Sequence, residues 1–319
     1  MLLFATNAVA TPGTAIVSSW RTNTTHFHPR FSVSSAVEGL GFPAFLPKEV
    51  ENIKDPSARK LASRIQRLQV TVGSSGDCIM SSCVKPLSST QSTPTTSPLV
   101  LLHGFDSSCL EWRYTLPRLE EAGLEAWAVD VLGWGFSDLD DNSLGCSLQV
   151  EKLVLIDASV YVEGTGSMAT LPKAVAYAGV SLLKSVMLRL FVNVLAFEKL
   201  PLSTSIDWMN IGRLHCMYDW WADATVNFMS SGGYDVACLI PKINQKTLII
   251  WGEDDKIISS KLGVRLHCEL PNAIIRQIPN CGHIPHVEKP DSVARLIKEF
   301  VQDQEDCSRK EAQLVSSLQ

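Results

Sequence analysis

Between residues 99 and 303, short uninterrupted apolar runs alternate with stretches of helical period, and this alternation leaves few architectures open. LVLLHG (99–104), EAWAVDVLG (125–133), KLVLIDA (152–158), KTLIIWG (246–252) and AIIRQIP (273–279) read as strands; CLEWRYTLPRLEEAGL (109–124), KLGVRLHCEL (261–270) and PDSVARLIKEFVQD (290–303) read as helices. A strand that is apolar throughout must be covered on both faces, and helices between such strands supply the cover. The expected fold class is α/β, a doubly wound, mostly parallel sheet with its core in 69–159 and 236–303. Residues 160–235, rich in Leu, Met and Trp, interrupt it as a helical lid. Upstream, LPKEVENIKDPSARKLASRIQRL closes a charged surface extension (38–68) of short helices broken at Pro56, and QVTVGSSGDCIMSSCVKPL reads as a hairpin. The polar tail 304–319 is expected to be loose.

Composition excludes some functions and suggests an address. A formal net charge of −5 offers no basic field for a phosphate backbone, so nucleic acid is not an expected partner. The nine cysteines are scattered and odd in number, which suits a reducing compartment; Cys78 and Cys83 are read as ordinary thiols, with no second pair at a metal-ligand spacing. Residues 1–37 hold no Asp or Glu, eleven Ser or Thr, and only Arg21 and Arg30 as fixed charges. That is the composition of an organelle transit peptide, read as chloroplast, with mitochondrion or cytoplasm as alternatives. The most apolar segment, 174–197, is interrupted by Lys184 and Arg189 and reads as amphipathic lid helix; no transmembrane segment is expected.

In a parallel sheet the reactive groups lie where strands end. Three strand ends carry suggestive residues: HGFDSS after the first run, GEDD after 247–251, and NCGHIPHVEKP after 273–279. Together with DVLGWGFSD (130–138), and in this order, they resemble the motifs of the α/β-hydrolase family, in its lid-bearing branch of esterases, epoxide hydrolases and carbon–carbon bond hydrolases. The resemblance implies that His103, Gly104 and Phe105 form the oxyanion loop and that Asp255 is the carboxylate orienting the histidine, with Asp254 its rival. It implies His283 as general base, and leaves His286 a structural role. The metal reading of Cys281, His283 and His286 lacks a fourth ligand, and no cofactor motif is present. The implied partner is a small lipophilic, ester-like molecule, suggested also by the Trp- and Met-rich stretch 206–229, although such a stripe also serves as plain lid core.

The family pattern places a helix, a buried strand, a G-x-S-x-G turn and another helix between GWGFSD and EKLVLIDA. Only residues 139–150 are available there, too few for one strand and two helices. One central strand with its flanking helices is therefore expected to be missing, as in a shortened isoform. Ser147, in Gly145-Cys146-Ser147, keeps the order Ser147, Asp255, His283. It follows an acidic, turn-forming stretch and precedes a strand, so it reads as a loop serine rather than a nucleophile on an elbow. Asp140 and Asp141 are in the wrong local context for an Asp nucleophile. A missing strand would leave backbone groups of its neighbours unpaired; were 152–158 to slide into the vacancy, Asp157 or Ser159 would approach the histidine. Two readings stand: a serine-type hydrolase, or a non-catalytic binding protein of the same fold.

Overall fold

The computed structural model of the protein describes residues 2–5, 41–72, 77–87, 97–131, 133–137, 150–161, 172–231 and 235–302. Ser147, Asp140, Asp141, the tail 304–319 and most of the expected leader lie outside these residues. In chain order the elements are β1 (Leu2–Ala5), a 3₁₀ turn (Lys48–Asn52), α1 (Pro56–Ala62), β2 (Ile65–Val72), β3 (Asp77–Val84) and β4 (Leu99–Leu102). A second 3₁₀ turn (Cys109–Trp112), α2 (Thr115–Glu121), β5 (Ala126–Val129) and β6 (Lys152–Ile156) follow. The lid is built from α3 (Lys173–Leu183), α4 (Val186–Ala196), α5 (Leu202–Leu214) and α6 (Trp221–Ser230). Then come β7 (Lys246–Gly252), α7 (Ser260–Glu269), β8 (Ala273–Ile278), α8 (Pro285–Glu288) and α9 (Pro290–Gln302).

The strands form one sheet in the order β2-β3-β5-β4-β1-β6-β7-β8. Two parallel blocks, β5-β4 and β6-β7-β8, match the apolar runs. The sheet as a whole is mixed rather than mostly parallel. β2 and β3 pair antiparallel, as strands joined by a short turn must, and β3 continues antiparallel to β5. The vacancy anticipated between β4 and β6 is filled by β1, antiparallel to both neighbours: Leu3 lies opposite Leu101 on one side and Val154 on the other. Leu2–Ala5 belong to the stretch whose composition reads as a leader.

The segment 46–68, expected on the surface, exposes most of its charged side chains but lays its apolar side on the core. Val50, Ile53, Ala58, Leu61 and Ala62 join the main core with Leu101, Trp112, Ala128 and Ile250, and Ile65 already begins β2. Asp55 explains the anchoring: its Oδ1 accepts from Ser57 N (2.9 Å) to cap α1, and its Oδ2 accepts from the buried Arg113 Nε (2.7 Å) and from Tyr114 Oη (2.6 Å). The expected helix 109–124 is broken at Arg113 and Tyr114, the two residues that turn to meet Asp55. At the other end of the chain, α9 buries Val293, Ile297 and Phe300, spaced four and three apart, and so lays one stripe on the core.

Candidate active site

The C-terminal ends of β4, β6, β7 and β8 carry the site. After β7 the chain turns at Gly252 so that Asp255 Oδ1 accepts from Ile257 N (2.7 Å) and Ile258 N (3.0 Å), which fixes the carboxylate plane. Its other oxygen, Oδ2, meets His283 Nδ1 at 2.8 Å. Asp254 takes no part in that contact; its N–H donates to the Cys281 carbonyl. The Asp255 side chain is fully buried and the imidazole of His283 one-fifth exposed, so the ring has access to an incoming molecule while its partner does not. An imidazole held through Nδ1 by a buried carboxylate has Nε2 left to take up and return a proton.

Close backbone approaches set this geometry. A β-carbon on Gly252 would run into the Gly282 carbonyl, and one on Gly282 into the Ala196 carbonyl at the end of α4. His283 N donates to that same Ala196 carbonyl (2.7 Å), so the histidine loop is pinned to the lid. Glu288 completes the loop by accepting from Gly282 N (2.9 Å) and Lys199 N (2.9 Å).

Asp157, at the end of β6, lies beside this pair. One ligand atom from each of Asp157, Asp255 and His283 lies within 4.8 Å of the other two. Its Oδ1 accepts from Gly252 N (2.9 Å) and its buried Oδ2 meets no hydrogen-bond partner. Burial, and then the neighbouring charge of Asp255, push its pKa well above the usual carboxylate value. Asp157 is therefore biased towards its protonated form. The slide of β6 into the vacancy is not needed, since β1 fills that place and Asp157 still reaches the histidine's side. The folded chain holds a proton that the unfolded chain releases above pH about 4, so Asp157 lowers stability as pH rises from there towards its folded value. Asp157→Asn keeps an acceptor for Gly252 N and removes that penalty. Urea unfolding should show a gain of about 1 kcal/mol or more at pH 7 and none below pH 4; an equal gain at both would show that the carboxyl is not held neutral.

The loop after β4 is braced from beneath. His103 Nε2 accepts from Val131 N (3.0 Å), which leaves the ring proton on Nδ1, 2.7 Å from the Gly104 carbonyl oxygen. Gly104 N donates to Glu111 Oε2 (3.2 Å), so this N–H is committed within the protein rather than offered to a reacting carbonyl. His286 Nε2 lies 2.7 Å from Glu111 Oε1, and its ring packs on Trp112 at 4.8 Å between centroids. Burial holds the His286 pKa below the ordinary imidazole range, against the opposing pull of Glu111. Phe105 packs against Trp134 and, from the lid, Phe228.

Asp106 ties this loop to the lid, a contact that the sequence reading did not foresee. Its Oδ2 accepts from Arg189 Nη2 (2.7 Å) on α4, while its Oδ1 accepts from Trp221 Nε1 (2.9 Å) and meets His215 Nε2 at 2.7 Å. Burial opposes the charge, but His215 and Arg189 hold the carboxyl below its usual value. Asp106, His215 and Cys216 also lie close enough to share a cation. Arg189 Nη2, 2.7 Å from the carboxylate and 3.1 Å from Cys216 Sγ, supplies positive charge at that place already. The signal in the sequence was Arg189 itself, a lone arginine in an apolar helix.

A family model described as "Alpha/beta hydrolase family" matches residues 99–296, more than half of the chain. The chain belongs to the α/β-hydrolase family. It is 50% identical over 312 residues to "Alpha/beta hydrolase domain-containing protein VTE7" of Arabidopsis thaliana, covering 85% of this chain and 94% of that protein. Because 85% of 319 residues is fewer than 312, roughly 40 aligned positions of that relative have no counterpart in this hydrolase-family chain. Among solved structures, the fold is similar to a thermophilic esterase from Thermogutta terrifontis (TM-score 0.56, 17% identity, 75% of this chain and 98% of that one). It is similar also to a meta-cleavage product hydrolase from Pseudomonas fluorescens IP01 (TM-score 0.55, 15% identity, 74% and 98%). At these identities the likeness is one of fold.

Proposed function

We propose that Asp255 and His283 are the acid–base half of a site for small lipophilic, ester-like molecules, and that this chain binds such molecules without turning them over. The observation that carries this reading is the direction of β1. A nucleophile on an elbow needs a strand parallel to β4 and β6, whose C-terminal end delivers the serine to the histidine's side. β1 occupies that position and runs the opposite way, so its first residues, not its last, reach that side. The roughly 40 unmatched positions of the Arabidopsis relative support the same reading, being about the length of a strand with two helices.

A second reading keeps hydrolysis, with Ser147 as nucleophile, His283 as base and Asp255 as orienting acid; it is favoured by the order of the three residues and by the assembled acid–base pair. The full chain, reacted with a fluorophosphonate probe beside Ser147→Ala and His283→Ala, separates the two. Binding without turnover predicts no labelling of the folded protein. Labelling that disappears in both variants would establish the serine-type hydrolase and overturn the first reading.

For location, the acid-free, hydroxyl-rich first 37 residues support a chloroplast address. Cleavage there would remove β1. The N-terminal sequence of the protein recovered from plastids separates the two roles of residues 2–5: a start at or near residue 1 keeps β1 in the sheet, and a start near residue 38 removes it and with it the support for the first reading.

A further inference from the structure

Helix α4 turns part of its apolar surface outward. Its one uncharged polar side chain, Asn193, is buried at 5% exposure and donates through Nδ2 to the Ser205 carbonyl (3.0 Å) and Oγ (3.0 Å) on α5. Three of its apolar side chains point outward while its leucines are partly buried: Met187 is 76%, Phe191 60% and Val194 69% exposed. The spacings of four and three place them on one face. Leu182 at the end of α3, and Leu202 and Ile206 on α5, extend the exposed apolar surface. So broad a patch on a folded chain marks a contact surface.

We propose that this face of the lid docks onto an anionic lipid surface, with α4 lying in the interface plane. Three observations favour a membrane over a second copy of the chain. From Lys173 to Phe197 there is no Asp or Glu, whereas Lys173 and Lys184 within this stretch and Lys199 just beyond it are exposed, a charge balance complementary to anionic headgroups. A two-fold pairing of the face with itself would set that cationic rim against its own copy. Carboxylates near the face are already answered: Glu198 by Lys256 (2.7 Å), Asp106 by Arg189 (2.7 Å), Asp223 by Tyr177 Oη (2.7 Å) and Glu288 by the Gly282 and Lys199 N–H groups (2.9 Å each). No single helix among the described residues is long and apolar enough to cross a membrane, and α3 and α4, which pass that test only together, are bent by 75°; the pair suits lying on a bilayer rather than spanning it. The inference does not depend on catalysis.

Co-sedimentation of the full chain with phosphatidylcholine vesicles, with and without phosphatidylglycerol, tests it. Binding should be stronger with phosphatidylglycerol. It should fall about a hundredfold in the double variant Phe191→Glu with Val194→Glu, and roughly fivefold in Lys184→Ala on the anionic vesicles alone. Phe191 and Val194 are exposed, so the melting temperature of the double variant should not change and it reports docking rather than folding; Lys184 also lies over the Trp221 ring (5.0 Å), so its variant is read by the difference between the two kinds of vesicle. A folded full chain that stays in the supernatant overturns the proposal, as does binding unchanged in the double variant. A dimer in solution that the double variant dissociates, without vesicle binding, overturns it in favour of a second copy.

Discussion

A chain that begins at residue 38 will unfold at a much lower denaturant concentration than the full chain. β1 makes a ladder with β4 on one side and β6 on the other, and it is central, not an edge. Without it, backbone N–H and C=O groups of both neighbours lose their partners inside the sheet, at about 1–3 kcal/mol for each buried group. Loss of only a few such pairs equals much of the roughly 5–15 kcal/mol that holds a domain folded. Urea unfolding followed by circular dichroism should show a loss of several kcal/mol, and a synthetic peptide of residues 1–10 added to the shortened chain should recover part of it by strand addition. Equal stability of the two chains would show that β4 and β6 close on each other and that residues 2–5 are free to serve as a leader.

Asp106→Ala should cost about 3–5 kcal/mol, because it leaves Arg189 charged and largely buried without its carboxylate. The loss has a location as well as a size. Asp106 has φ of 53°, a left-handed conformation that a non-glycine residue keeps only when its surroundings impose it, and here the lid does so through Arg189, His215 and Trp221. The Ala variant should therefore loosen the 103–108 loop and the lid together, read as faster amide exchange in 103–108 and in α4 and α6. Asp106→Asn, which keeps an acceptor for Trp221 but not the charge, should fall between. A cost below about 1 kcal/mol for Asp106→Ala would show that the three lid contacts do not hold the loop.

The parallel blocks were legible in the sequence because LVLLHG, KLVLIDA, KTLIIWG and AIIRQIP are apolar throughout, a pattern that few other environments tolerate. The contact of His283 with Asp255 was legible for a local reason: each follows a glycine at a strand end, and the close approach of Gly252 to Gly282 brings the two loops together. What the sequence hid was long-range. Nothing in LLFA announces a central strand, since four apolar residues are common to strands, helices and leaders. Asp55 and Arg113 look like surface charges until their pairing, 58 residues apart in the chain, pulls 46–62 into the core. Asp157 could be placed near the histidine only by supposing a slide of its strand; its raised pKa comes from burial first and then from Asp255, nearly a hundred residues away, and neither is local.

The bond from His283 N to the Ala196 carbonyl makes one corner of the lid a pivot. Lifting α4 at that corner would pull the histidine loop with it and draw the imidazole from Asp255. Near the other end of α4, Arg189 is held by Asp106, so the helix is fastened to the strand-end loops at both ends and cannot lift without breaking one of these contacts.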